Sequence, residues 1–277
     1  MWKKLKNKDA YEIVSDVIVF ICALLFLLPL FWLLLNTFKY STEIYASPPT
    51  IFPENFTLSN LEELFADQPA FRWIFNSFLV SFVTGLLSMF LSALAAYGFA
   101  KLKINGKTVL FTVVIASIMV PKETFIIPLF DTIMEMNLMN TYSSMIIPNL
   151  ATGFGTFMLY NFFKSIPESV RESAKLDGAN EWTIFRRLML PMVKPGLGSL
   201  FILNFVTTWN DYLWQLLMAR DETMQTLNVG VASLQQSTNP NIGLRVAGAF
   251  LAAVPMVIVF IAFQRTFVRG SSEGAVK

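Results

Sequence analysis

The chain has 277 residues, of which 55% are hydrophobic and only 14% charged, with a mean hydropathy of +0.55 and a net charge of +2. A soluble domain carries about 25% charged residues, so the deficit points to a membrane, and so small a net charge gives no footing for nucleic acid. There is no histidine and one cysteine, Cys22, which excludes a disulfide framework, histidine zinc sites, Ser-His-Asp triads and histidine proton relays.

Only a helix satisfies its own backbone in lipid, and crossing takes roughly 20 apolar residues. The chain therefore reads as an all-α membrane protein with six spans. The first, at about 13–36, follows Lys3, Lys4, Lys6 and Lys8. It is too long for a signal peptide and no small-residue cleavage site follows. A polar stretch with Pro48, Pro49 and Pro53 leads to the second span, 72–100. There Ser77, Ser81 and Gly85, then Ser88, Ser92 and Ala96, recur every four residues, which puts small residues on common faces for close helix packing.

Lys101, Lys103 and Lys107 flank Asn105-Gly106-Lys107-Thr108. A phosphate loop would need glycine at 101, where lysine stands, so the turn is read as a basic membrane flank. The third span, 107–130, is interrupted by Lys122-Glu123, charges that either serve function or reach interfacial water. The fourth, 141–164, contains Pro148, Gly153 and Gly155; the fifth, 195–219, carries Asp211; the sixth is 243–266. Six spans place both termini on one side. The termini, the 101–107 turn and the 164–194 segment hold sixteen of the 21 Lys and Arg, which makes that side cytoplasmic.

The longest charged amphipathic stretch is the cytoplasmic region 165–194. Ser165-x-x-Glu168 has capping-box spacing, with Pro167 in the first turn. A helix from about Pro167 to Asp177 would align Ile166, Val170 and Ala174, and Gly178 is a natural stop. Asn180 can cap a second helix in which Trp182, Phe185 and Met189 share a face, ended by Pro191 and Pro195. On pattern alone this could be a surface loop.

Glu172-Ser173-Ala174-x-x-x-Gly178, nine residues, then Leu188-x-Leu190-Pro191 resembles the EAA signature of permease subunits of bacterial ABC importers. Ser173 stands for alanine and Leu188 for isoleucine, both compact or aliphatic exchanges. Asp177-Gly178-Ala179, Trp209-Asn210-Asp211-Tyr212 and the Gly274-Ala275-Val276-Lys277 ending extend the likeness over nearly the whole chain. They narrow it to carbohydrate-uptake permeases, closest to the subunit type of the second permease of maltose transporters. The resemblance implies the six-helix fold of type I ABC importer permeases in the bacterial inner membrane. It also implies a second permease in a heterodimer, two ATPase subunits and an extracellular sugar-binding protein. No enzyme activity is expected of this chain, and ATP and Mg belong to the ATPase partners. The signature, Glu172, Ser173, Ala174, Asp177, Gly178, Leu188, Leu190 and Pro191, would sit in a groove of the ATPase and receive its closure, with small Ser173 and Ala174 permitting close approach.

For the substrate path, Thr207, Asp211 and Trp214 would share a helical face at i, i+4 and i+7, with Asn210 and Tyr212 beside them. The aromatic residues there also suit an interfacial belt, which explains the acid at 211 less well. By resemblance, the outer loop with Gln235, Gln236, Ser237 and Asn239 would reach into the binding protein. The expected function is uptake of a sugar, read as an oligosaccharide. The alternatives are a permease for glycerol phosphate or a polyol, and a self-sufficient secondary carrier, for which the chain shows no repeated halves.

Overall fold

The computed structural model describes residues 10–234 and 241–273, and among these the architecture is helical with no strand. Helices α1 (Ala10–Thr37), α2 (Ser41–Ile44) and α3 (Ser59–Asp67) precede the 32-residue α4 (Ala70–Lys101). Next come α5 (Lys107–Ile118), a 3-10 turn at Lys122–Phe125, α6 (Ile126–Glu135), α7 (Tyr142–Ile146) and α8 (Gly153–Ser165). After them stand α9 (Glu168–Leu176), α10 (Glu181–Ile184), a π-helical turn at Phe185–Met189 and α11 (Leu190–Met192). The last helices are α12 (Lys194–Trp209), α13 (Leu213–Met218), α14 (Leu227–Ser233) and α15 (Ile242–Glu273). The chain folds as two compact units, one formed by residues up to Gln68 with Val231–Ala253, the other by Pro69–Gly230 with residues from Val254 onward.

In the first unit, the 28 residues of α1 exceed the ~30 Å hydrocarbon core at about 1.5 Å each. Phe20, Leu24, Phe26 and Leu28 on it are exposed, which is stable only where the surroundings are themselves apolar. Its end is satisfied by Asn60, whose Nδ2 donates to the Thr37 and Lys39 carbonyls at 3.0 and 2.7 Å. Lys39 is itself buried, with Nζ donating to the Thr50 carbonyl at 2.6 Å and lying 5.1 Å from the Trp32 ring. Asn241 Oδ1 accepts from Ser41 Oγ at 2.6 Å and from the Gly243 amide at 2.9 Å, fixing the entry to α15.

In the second unit α4 is the spine, packed along α8 and α12. Ser77, Ser81, Gly85, Ser88, Ser92 and Ala96, the small residues at four-residue spacing, are all buried. Their purpose is close approach. A Cβ on Gly85 would lie 3.2 Å from the Phe201 ring of α12, and one on Gly155 of α8 would lie 2.6 Å from Ser92 Oγ.

Among the described residues, three helices are continuous, long and apolar enough to cross a membrane: Val14–Thr37, Ala70–Lys101 and Ile242–Phe263. Two further pairs qualify as bent units. Lys107–Ile118 and Lys122–Glu135 meet at 97°, and Glu181–Met192 and Lys194–Trp209 at 79°. Pro121 accounts for the first bend, since it donates no backbone N–H and breaks the helix before it. The 141–164 interval is also broken, into α7, a 3-10 turn containing Pro148, and α8. The 195–219 interval is interrupted at Asn210–Tyr212, where the Val206 carbonyl accepts both the Asn210 backbone amide at 3.1 Å and Asn210 Nδ2 at 2.9 Å.

The spine's packing gives a graded expectation. Gly155→Ala places its methyl against Ser92 Oγ and Leu200 and should destabilise the protein by about 1–3 kcal/mol. Gly85→Ala, with a contact only slightly tight, should cost less. Thermal unfolding in detergent should rank the two in that order.

Candidate functional site

The charged segment forms helix, glycine bend and helix. Pro167, with no side-chain cap, opens α9. The capping box does not form, because Ser165 Oγ turns back to the Phe162 carbonyl at 2.8 Å and helps end α8. Glu168 instead accepts from Arg171 at 2.6 Å and lies 3.5 Å from Lys101 Nζ.

The far end of α9 closes as a Schellman cap: the Gly178 amide donates to Lys175 O and the Ala179 amide to Ala174 O, both at 3.0 Å. Gly178 has φ +82°, the left-handed region where side chains with a Cβ are disfavoured. Asn180 Oδ1 then accepts from the Thr183 amide at 2.8 Å and caps the next helix.

The signature residues divide by side. Glu172, Ser173, Asp177 and Gly178 are exposed, as is Leu176 between them, at 89%. Ala174 turns the other way, joining Ile166 and half-buried Val170 against Tyr97, Phe163, Ile184 and Phe185. Its small size serves packing within the chain. Leu188 and Pro191 are exposed and Leu190 is half-buried.

Phe185 and Met189 are buried, while Trp182, 54% exposed, lies over Phe185 at 5.6 Å between ring centroids. The expected face is therefore buried at Phe185 and Met189, at either end of a π-helical turn, and not at Trp182. A proline at 191 would press on the carbonyl four residues before it, and the wider turn relieves that.

Arg171, Lys175, Glu181, Tyr97 and Lys101 form a network that periodicity did not reveal. Glu181 Oε1 accepts from Arg171 Nη2 at 2.5 Å and pairs with Lys175 Nζ at 2.7 Å; Oε2 accepts from the Tyr97 hydroxyl at 2.7 Å. Lys101, nearly buried, donates to the Ile166 carbonyl at 2.6 Å.

The hydrogen bond from Arg171 outweighs burial, and with Lys175 and Tyr97 it lowers the Glu181 carboxyl from 4.5 to about 2. Because the folded value is depressed, the stabilisation is complete above the ordinary carboxylate range and is lost only as pH falls toward 2. For Glu168, burial raises the carboxyl, but Arg171 and Lys101 together bring it below its ordinary value.

The second candidate region departs from its expected geometry. Because the helix breaks after Trp209, Thr207, Asp211 and Trp214 do not form one face. Trp214 is buried beside Val80, Ile133, Met145 and Met218, with Nε1 donating to the Ser144 carbonyl at 3.0 Å. Thr207, Asn210 and Tyr212 are exposed.

Asp211 bridges: Oδ1 accepts from the Trp214 amide at 3.3 Å, and Oδ2 pairs with Lys122 Nζ at 2.8 Å. Two ionisable residues noted separately in the sequence are thus one ion pair joining two helix breaks. Lys122 also borders a groove of about 360 Å³ lined by Phe125, Pro128, Leu129, Thr132 and Pro148. Gln235, Gln236, Ser237 and Asn239 lie outside the described residues, as does the Gly274–Lys277 ending.

Comparison with known proteins matches residues 88–272 to the family described as binding-protein-dependent transport system inner membrane component. The arabinooligosaccharides transport system permease AraQ of Bacillus subtilis is 32% identical over 272 residues, covering 97% of each chain. The lactose transport system permease LacG of Rhizobium radiobacter is 31% identical, covering 96% of each. Among solved structures, a bacterial ABC transporter that imports alginate superposes with TM-score 0.80 at 21% identity, covering 92% of this chain and 95% of that one.

The Schellman cap carries its own expectation. Nothing lies within 4 Å of a Cβ at Gly178, so the left-handed backbone sets the penalty that any Cβ brings there, about 1–2 kcal/mol for Gly178→Val. Gly178→Asn, which tolerates the left-handed region, should cost less. Hydrogen exchange at the Gly178 and Ala179 amides should quicken more in Gly178→Val.

Proposed function

We propose that this chain, which belongs to the family of binding-protein-dependent transport system inner membrane components, is one permease of an ABC importer that takes up an oligosaccharide. It is a multi-pass inner-membrane protein with no enzyme activity of its own. Its near full-length likeness to permeases named for arabinooligosaccharides, lactose and diacetylchitobiose carries the sugar assignment. In this reading the chain crosses the membrane six times as a single permease domain, with the bent and broken helices among the spans and both termini cytoplasmic. A second permease completes a heterodimer, two ATPase subunits holding ATP and Mg bind below, and an extracellular binding protein delivers sugar.

Coupling is assigned to the outer side of α9 and to the helical segment beyond the glycine bend. Glu172, Ser173, Asp177 and Gly178 form the exposed rim that meets the ATPase, with Leu188, Leu190 and Pro191 on the helix behind. Ala174 supports them from within. Closure of the ATPases pushes this element, and the two permeases rock between outward and inward access. The loop with Gln235, Gln236, Ser237 and Asn239 is assigned to contact with the binding protein.

On the substrate path, Thr207, Asn210 and Tyr212 offer exposed polar groups, with Asp211 held between Lys122 and the start of α13, where Trp214 anchors it. The glycerol-3-phosphate permease UgpE of Yersinia enterocolitica, 28% identical, keeps a phosphate ester or polyol in view as the second substrate reading. A phosphate favours unpaired cations, and Lys122 is already neutralised by Asp211, which favours an uncharged sugar.

Affinity purification of this chain from its native membrane should bring down an ATPase and a second permease. The complex should import labelled oligosaccharide into proteoliposomes only with ATP and binding protein. Uptake by the chain alone, without ATP, would instead establish a secondary carrier. Asp211→Asn and Lys122→Gln should each lower uptake about five-fold or more, and the double variant should fall little further, because both break one pair. Additive losses in the same assay would separate the two residues' roles.

A further inference from the structure

A nine-residue helix between an extended Ile166–Pro167 entry and a glycine bend is a poor lever by itself, since so short a helix is marginally stable and free to pivot at both ends. Apolar packing beneath it, through Ala174 and Ile166, resists lifting but is non-directional and permits sliding. What fixes its direction is polar. Arg171, with only 13% of its side chain exposed, grips Glu181 through both Nη2 and Nε, at 2.5 and 3.3 Å, and Glu168 through Nη1 at 2.6 Å. Glu181 is the first residue of α10, on the far side of the glycine bend. The same carboxylate takes the hydroxyl of Tyr97, which stands buried near the end of α4. Lys101, the last residue of α4, closes the other end by holding the Ile166 carbonyl.

One carboxylate thus ties α9, α10 and the spine helix together. We infer that Glu181 is the positioning residue that makes these three elements move as one body, so that a push on the exposed rim of α9 turns α4 instead of folding the chain at Gly178. This rests on the coupling role proposed above and adds to it the internal route, Arg171 to Glu181 to Tyr97, by which displacement reaches the bundle. The bidentate Arg–carboxylate geometry suits the task, because it resists rotation as well as separation. Glu181→Gln keeps the shape but surrenders one acceptor oxygen and the charge, leaving Arg171 and Tyr97 competing for the oxygen that remains.

The test uses the whole purified transporter in proteoliposomes and reads sugar imported per ATP hydrolysed. Glu181→Gln should assemble and hydrolyse ATP, yet its sugar-to-ATP ratio should fall about five-fold or more, with Glu181→Asp in between. Tyr97→Phe, which removes one hydroxyl and leaves the packing, should lower the ratio by a smaller factor. If Glu181→Gln fails to assemble, Tyr97→Phe decides alone. A ratio equal to wild type in the assembled variants, including one where both rates fall in proportion, overturns the inference. Failure of the wild-type chain to bring down an ATPase, or wild-type uptake independent of ATP, would instead remove the functional reading on which the inference stands.

Discussion

Lipid removes the usual reason for helices to associate, because acyl chains are as apolar as leucine. What remains is contact at close range, and α4 is built for it. Ser77, Ser81, Gly85, Ser88, Ser92 and Ala96 are buried on α4, along which α8 and α12 pack. Gly85 and Gly155 mark places where even a methyl group would press on a neighbour. Because α4 fits its neighbours so tightly, its end is a firm point for other elements to brace against, and Tyr97 and Lys101 stand at that end.

The charged region and the apolar bundle obey opposite rules. Among the apolar helices of each unit, polar side chains often serve the backbone, as Asn60 does at the end of α1 and Asn210 at the end of α12. Around α9 the polar groups bind one another, and the most connected of them, Glu181, stays ionised far below neutral pH because Arg171 holds it. A brace of this kind does not loosen with ordinary changes of pH. It suits a part that must transmit the same displacement in every cycle.

Much of this was legible in local sequence, wherever the cause was itself local. The four-residue spacing on α4 predicted a packed face; Gly178 and Asn180 predicted the stop and restart around the bend. Errors arose where two local causes competed. Ser165 could cap forward or bond backward, and α8 claimed it. Asn210 sits in a run that reads as helical, yet it is the residue at which α12 ends, with both its backbone and side-chain amides on the Val206 carbonyl. Partnerships across distance were not legible at all. Nothing in spacing tells Tyr97 that Glu181 will stand beside it, or Lys122 that Asp211 will, because those pairs depend on how helices stack.

The π-helical turn from Phe185 to Met189 has a consequence for geometry downstream. Such a turn takes up one more residue than an ordinary one, and a residue of α-helix corresponds to about 100° of rotation. The turn lies between the braced start of α10 and the 79° corner into α12. It is therefore a phase adjuster: it rotates the Leu190–Met192 turn that leads into the corner relative to the anchored start of α10. One piece of chain can in this way satisfy two bearings, one toward the charged brace and one toward the bundle, that a uniform helix would have forced into a single angle.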